Sequence, residues 1–166
     1  MVRSRGVAVA LAGFLTAACG GDPEPSPAEP VSCTDAHLRV TAGPWSGAVG
    51  SRWSEVLVEH VGDGACLLPP APVVGLVDAA ERLLLESTPE SGCGPVLLVP
   101  DTVTTFAVRY SNACERAVAV PIALYLALDA GPVEVSDSVI ASSDDLPPCS
   151  APDESSAIET SRWGEG

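Results

Sequence analysis

The chain has 166 residues, a formal net charge of −14 and no lysine among its basic residues. This length accommodates one ordinary domain with an export segment and tails, but not two full domains. The acidic balance and the lack of basic stripes interleaved with aromatic residues exclude nucleic acid as a partner. Repulsion from anionic lipid headgroups also means that surface charge cannot attach the protein to a membrane.

Residues 1–18 are typical of an export signal. Two arginines precede an apolar run at 7–18, and a run of about a dozen residues is too short for a spanning helix, which needs about twenty. The small residues before Cys19 resemble a lipobox, so we expect cleavage before Cys19 and acylation of its thiol. Thr16 stands where a lipobox usually has leucine. The alternative is an ordinary signal peptidase site, which would release a secreted protein.

Residues 19–32 are predicted to form a disordered tether behind the lipidated cysteine. The stretch 20–30 is rich in proline and acidic residues and has no apolar side chain larger than alanine, so it cannot bury enough surface to order itself. Its prolines favour a semi-extended spacer of about 3 Å per residue. We therefore expect a protein anchored through its lipid at the outer face of the cell membrane, with free secretion as the alternative.

From residue 33 onwards, apolar and polar side chains alternate with a period of two, which predicts β-strands rather than helices. Strands are expected at 37–42, 53–61 and 103–110, and the clearest run spans 118–128. Because Pro121 cannot donate to a ladder, this last strand is expected at a sheet edge or at a bulge. The short strands and frequent turns predict an all-β domain at 33–149, a single immunoglobulin-like β-sandwich, followed by a disordered polar tail at 150–166.

The six cysteines indicate disulfides rather than a metal site, because an exported protein is oxidised and no Cys-x-x-Cys pair is present. Antiparallel pairing of adjacent strands brings cysteines together at two places. These are Cys33 with Cys66, beside the pairing of 37–42 with 53–61, and Cys114 with Cys149, beside the pairing of 118–128 with 133–140. Cys93 is left over and is expected to be unpaired or to form an intermolecular bond.

Several of these features occur together in a known pattern: Cys66-Leu67-Leu68 followed by Pro72 and Val74, with further cysteines on both sides. Over residues 33–149 the chain resembles the domain-of-unknown-function family numbered forty-two thirty-two, found mostly in secreted proteins and lipoproteins of actinobacteria. The resemblance implies a β-sandwich, often behind a lipobox, and implies no activity. The chain departs from the pattern at Pro70, His60 and Asp101, where the family usually has Gly, Asn and Gly, and Cys93 is an addition.

The residues that might carry chemistry are few. His37 lies two residues after Asp35 and His60 ends a predicted strand, and both are interpreted as polar strand-edge residues. No Gly-x-Ser-x-Gly elbow aims a serine nucleophile, and the acidic pairs at 144–145 and 153–154 lack the spaced ligands of a calcium loop. We therefore expect no enzyme activity, no metal and no cofactor.

Two tryptophans, Trp45 and Trp53, flank the first predicted turn and are the candidates for a binding patch, although packing in a core is the commoner role of tryptophan. The sequence thus predicts a non-catalytic binding or accessory module whose partner is a protein or a small ligand of unknown identity. The alternative is a passive structural envelope protein, dimerised through Cys93.

Overall fold

The computed structural model describes residues 29–48, 50–89, 94–114 and 120–166. Within these ranges the chain is built from short β-strands and one 3₁₀ turn at Ser143–Asp145. The strands are β1 (Val31–Ser32), β2 (Leu38–Ala42), β3 (Ser46–Ala48), β4 (Ser51–His60), β5 (Cys66–Leu68), β6 (Val73–Val77), β7 (Leu83–Glu86), β8 (Val96–Leu98), β9 (Val103–Ser111), β10 (Ala123–Leu128), β11 (Gly131–Glu134) and β12 (Ala157–Thr160). The described part of the chain contains no helix that is long and apolar enough to cross a membrane.

Two antiparallel sheets form the sandwich. The first has the strand order β12-β9-β4-β2, with β3 also paired to β4, and the second has the order β11-β10-β6-β7. Alternate residues of each sheet point inwards, so Val56 and Phe106 from the first sheet share one core with Val74 and Leu124 from the second. The predicted fold class, an all-β sandwich, is confirmed.

A third, small sheet of order β1-β5-β8 closes one side of the domain. One disulfide joins Cys33, just after β1, to Cys66 in β5, with 4.9 Å between the Cα atoms. The other joins Cys114 to Cys149, with 4.6 Å between the Cα atoms. These are the two pairs that the predicted strand pairing brings together, because β2 does pair antiparallel with β4 and β10 with β11.

Residues 118 and 119 of the strand predicted at 118–128 lie outside the described residues, and the strand that the structure describes there lies elsewhere in its sheet than expected. β10 starts at Ala123, two residues after Pro121, and it lies between β11 and β6 rather than at an edge. Because the proline precedes the strand, its missing N–H removes no ladder hydrogen bond. The alternation itself holds, since Ile122, Leu124 and Leu126 are all buried.

The prediction of a disordered tail at 150–166 is wrong for the segment that contains β12. Ala157–Thr160 pairs antiparallel with β9, and Ile158 packs into the core. Trp163 then stacks edge-on against Phe106, with 5.2 Å between ring centroids, and its indole N–H donates to the Pro69 carbonyl. The folded domain therefore continues well past residue 149.

Other predictions concern the N-terminal region and Cys93. Val31 and Ser32, predicted as the end of the disordered tether, form β1 because they pair in parallel with β5. The predicted signal, Cys19, the rest of the proline-rich stretch up to residue 28, and Cys93 lie outside the described residues.

Candidate binding groove

A row of three side chains crosses the outer face of the first sheet. Trp53 on β4 is opposite Arg109 on β9, and Arg109 is opposite Glu159 on β12. Strand alternation fixes their direction: the neighbours of Trp53 and Arg109 that face inwards are Ser54 and Val108, both buried. The outward direction of the row therefore follows from the same pattern that fills the core.

This row lines a groove of about 850 Å³, together with Thr88 and Pro89 from the segment after β7. Trp53 is 54% exposed, which is unusual for the largest apolar side chain. Arg109 and Glu159 form an ion pair of 3.4 Å with both side chains more than half exposed. Such a pair contributes little to stability and can re-pair with a ligand at low cost.

β12, the terminal strand of its sheet in the part of the chain that the structure describes, lines the same groove. Ile158 and Thr160 border it, although only 6% and 8% of their surface is exposed. Their side chains point inwards, Ile158 into the core and Thr160 to a hydrogen bond with the Pro72 carbonyl. What these two residues present to the groove is therefore their backbone.

The direction of those backbone groups follows from the ladder with β9. The N–H of Ser161 donates to the Ala107 carbonyl, so odd-numbered residues of this strand direct their N–H and C=O groups towards β9. In an antiparallel pair the intervening residues direct theirs the other way. The N–H and C=O groups of Ile158 and Thr160 thus face away from β9, along the open edge.

The two tryptophans predicted to form a patch border different cavities. Trp45 is half-buried against the core and its indole N–H donates to the Ser138 carbonyl at 2.9 Å. It borders a smaller cavity of about 260 Å³, beside Arg52 and Asp145. Of the two tryptophans, only Trp53 borders the groove. It lies beside Arg109 and Glu159, which could not be identified from the sequence.

The two histidines lie close together, with 6.2 Å between ring centroids. His60 is 2% exposed, and neither of its ring nitrogens has a hydrogen-bond partner among the described residues. The Nδ1 atom of His37 accepts the backbone N–H of Thr34 at 3.0 Å. That nitrogen is therefore engaged as an acceptor, which favours the neutral tautomer with the ring proton on Nε2.

Within the described ranges, no group of three or more His, Cys, Asp or Glu side chains could hold a metal ion. The acidic pair at 144–145 belongs to the 3₁₀ turn, which is capped by the Ser142 hydroxyl.

Two groups with shifted pKa values lie outside the groove and have structural roles. Hydrogen bonds from the Arg82 side chain and then from its backbone N–H lower the pKa of the Asp78 carboxyl in the β6–β7 turn. Burial, followed by a hydrogen bond to Glu86, raises the pKa of the Tyr125 phenol. Gly75 lies between Tyr125 and Glu86 in the sheet, and the ring of Tyr125 crosses over it. A Cβ atom at Gly75 would overlap that ring.

Comparison with known proteins gives one family. Residues 33–163 match the model described as Domain of unknown function (DUF4232), well over half of the chain. The matched region ends at Trp163, so it includes β12 and the edge-on tryptophan that complete the fold. Neither curated proteins nor solved structures give a significant match.

Proposed function

The chain belongs to the family Domain of unknown function (DUF4232), and from that premise we propose that its folded domain is a non-catalytic binding module of the bacterial envelope. Its ligand binds in the groove that contains Trp53, Arg109 and Glu159. An acylated Cys19 and a proline-rich spacer hold the module at the outer face of the cell membrane.

The exposed indole of Trp53 is the observation that carries the binding proposal. Slightly more than half of this residue is exposed to solvent, in the lining of a groove large enough for a small ligand or a short segment of chain. A ligand that covered about 100 Å² of apolar indole surface would gain about 2–3 kcal/mol. The adjacent Arg109 and Glu159 supply a donor and an acceptor that would orient it.

The anchor proposal is supported by the order of features along the chain. An apolar run ends at a cysteine, and a proline-rich acidic spacer follows it. The chain then enters the fold at β1, which pairs with β5 and not with any strand of the groove. Anchoring at this end would therefore leave the groove strands unobstructed.

The non-catalytic part of the proposal is supported by the histidines. His37 has its Nδ1 occupied by Thr34, and His60 is enclosed in the fold away from the groove lining. The hydroxyl of Ser161, which borders the groove, accepts the backbone N–H of Ala107 and donates to the carbonyl of Glu165. His37 and Ser161 are thus engaged in hydrogen bonds of the fold, and His60 does not border the groove as a base for Ser161.

Mass spectrometry of the mature protein tests the anchor. We expect an N-terminal Cys19 carrying a diacylglycerol, and a Cys19→Ala variant that is no longer retained in the membrane fraction. A mature chain that starts at Cys19 without lipid, or one released into the medium, would favour free secretion. Retention of Met1 on a cytoplasmic protein with reduced thiols would refute the export proposal altogether.

The binding proposal is tested by NMR titration of the folded domain with peptide and oligosaccharide panels. Backbone shifts should cluster on β9 and β12, and Trp53→Ala should abolish them. Leu57→Ala is the matched control, because Leu57 is also an exposed apolar residue of β4 but lies outside the groove. If no ligand shifts the groove, and non-reducing gels show a dimer that Cys93→Ser abolishes, the passive structural alternative replaces the binding module.

A further inference from the structure

Within the proposed binding function, we propose that the groove takes its ligand as an added β-strand: an extended peptide segment carrying basic side chains pairs antiparallel with the free edge of β12. The inference rests on the proposed function for the existence of a ligand. It goes further by assigning the chemical class of that ligand and its hydrogen-bonding partners.

The open edge supplies the main-chain recognition. β12 stands at the end of its sheet, with β9 as its one hydrogen-bonded neighbour among the residues described. The outward N–H and C=O groups of Ile158 and Thr160 form two donor and acceptor pairs at the spacing of a strand. A peptide strand satisfies both pairs at once, whereas a compact small molecule cannot match that repeat.

The antiparallel direction follows from the sheet itself. The pairs β2–β4, β4–β9 and β9–β12 are all antiparallel. A peptide strand that pairs antiparallel with β12 would add a fourth residue to the row of Trp53, Arg109 and Glu159. The peptide residue at that position lies on the outer face directly opposite Glu159, within reach of its carboxylate.

Charge around the edge selects a basic partner. Residues 150–166 contain four acidic side chains, namely Asp153, Glu154, Glu159 and Glu165, against Arg162, and Arg109, which pairs with Glu159, brings the arginines beside the strand to two. The whole chain has a net charge of −14. A lysine or arginine opposite Glu159 would form a favourable cross-strand pair, and the surrounding field would accelerate its approach.

The same charges disfavour a second copy of this chain as the occupant. Pairing two β12 edges antiparallel would bring Glu159 of each copy close to the other, together with the acidic residues that flank the strand. Like charges in neighbouring cross-strand positions oppose pairing. The edge thus disfavours self-association and favours a strand of opposite charge.

The test is a titration of the folded domain with a synthetic peptide of alternating valine and lysine, followed by NMR and by tryptophan fluorescence. With lysines opposite Glu159, the valine amides face β12 and the lysine amides face solvent. N-methylation of the valine amides should therefore weaken binding by about tenfold or more per hydrogen bond lost. N-methylation of the lysine amides should leave the affinity within about twofold of the parent peptide.

Charge reversal on the protein provides the second arm. Glu159→Lys should weaken binding of the lysine peptide at least about fivefold and improve binding of the matching glutamate peptide. Glu59→Lys is the matched control, because Glu59 lies on β4 in an ion pair with Arg39 and does not border the groove. This control should leave the affinity for the lysine peptide unchanged.

The outcomes separate the two proposals. Antiparallel strand addition is overturned if both methylated peptides bind with equal affinity, or if only methylation of the lysine amides reduces the affinity. In either case the groove binds peptides in another way. Binding of an oligosaccharide at Trp53 with no response to any peptide also overturns strand addition while supporting the binding module. A dimer that forms through β12 overturns the choice of occupant. If neither ligand class shifts the groove, both proposals fall.

Discussion

Replacing Asn112 by alanine should remove about 3 kcal/mol from the free energy of unfolding. Asn112 follows β9, is 6% exposed and has a positive φ of 55°. Its side-chain amide donates to the carbonyls of Ala151 and Glu154 at 2.8 and 2.7 Å. Its Oδ1 atom accepts the backbone N–H groups of Ser150 and Ala151 at 3.1 and 3.0 Å. One side chain thus holds the loop that leads into β12.

The magnitude follows from these four hydrogen bonds and from the backbone conformation. Each bond contributes about 1 kcal/mol net, and placing alanine in the left-handed region costs about 1 kcal/mol more. Water replaces part of the loss because the loop carbonyls are only partly buried, which reduces a sum of about 5 kcal/mol to about 3 kcal/mol.

Urea unfolding of the oxidised domain, followed by tryptophan fluorescence, gives the measurement. Asn112→Gly separates the two contributions, because glycine accepts the positive φ but makes no side-chain bonds, and it should remain about 2 kcal/mol below the wild type. Asn112→Asp keeps the two accepted bonds but places a carboxylate oxygen against the carbonyls of Ala151 and Glu154, so it should be at least as destabilising as the alanine variant. A loss below about 1 kcal/mol for Asn112→Ala would refute the proposed role of this residue.

Three further predictions concern other parts of the fold. Because the native pKa of Asp78 is depressed, its ion pair should stabilise the fold above the ordinary carboxyl range and lose that contribution as the pH falls through the lowered pKa. As the pH decreases, the melting temperature should therefore fall more steeply for the wild type than for Asp78→Asn. Parallel curves of melting temperature against pH would contradict this. Replacing Cys33 and Cys66 together by serine should cost about 2–4 kcal/mol relative to the oxidised wild type in the same urea assay, and an unchanged midpoint would count against a stabilising role for this bridge. Glu86→Gln should lower the titration midpoint of the Tyr125 phenol in ultraviolet difference spectra, since hydrogen bonding to the carboxylate contributes to its raised pKa.

The pairing of β2 with β4 could be predicted from the sequence because apolar residues recur with a period of two at Leu38 and Val40 and at Val56 and Val58, although Leu57 is also apolar, and a glycine-rich turn follows the second run. The same alternation predicts the direction of Trp53: Val56 and Val58 occupy the inward positions of β4, and Trp53 has the opposite parity. Trp45 precedes β3 and belongs to no strand, so alternation gives no direction for its side chain. The two tryptophans therefore differ in how far the sequence determines their placement.

The groove as a whole could not be predicted in this way. β12 has four residues, and its alternation is too short to stand out from a polar segment. Its partner β9 lies about fifty residues earlier, and nothing local to either strand specifies that they pair. Arg109 and Glu159 become neighbours only through this long-range register, which is why sequence reasoning found the tryptophan and missed the two charges beside it.

The covalent link between Cys33 and Cys66 determines how the domain would respond to mechanical tension from its N-terminal side. A pull along the spacer reaches the fold at Val31 and begins to unzip β1 from β5, which are joined by only two residue pairs. The unzipping stops at Cys33, where the sulfur–sulfur bond passes the force directly into β5. Force spectroscopy should therefore record an early rupture of β1 that leaves the sandwich intact, and a much lower rupture force for the sandwich after reduction.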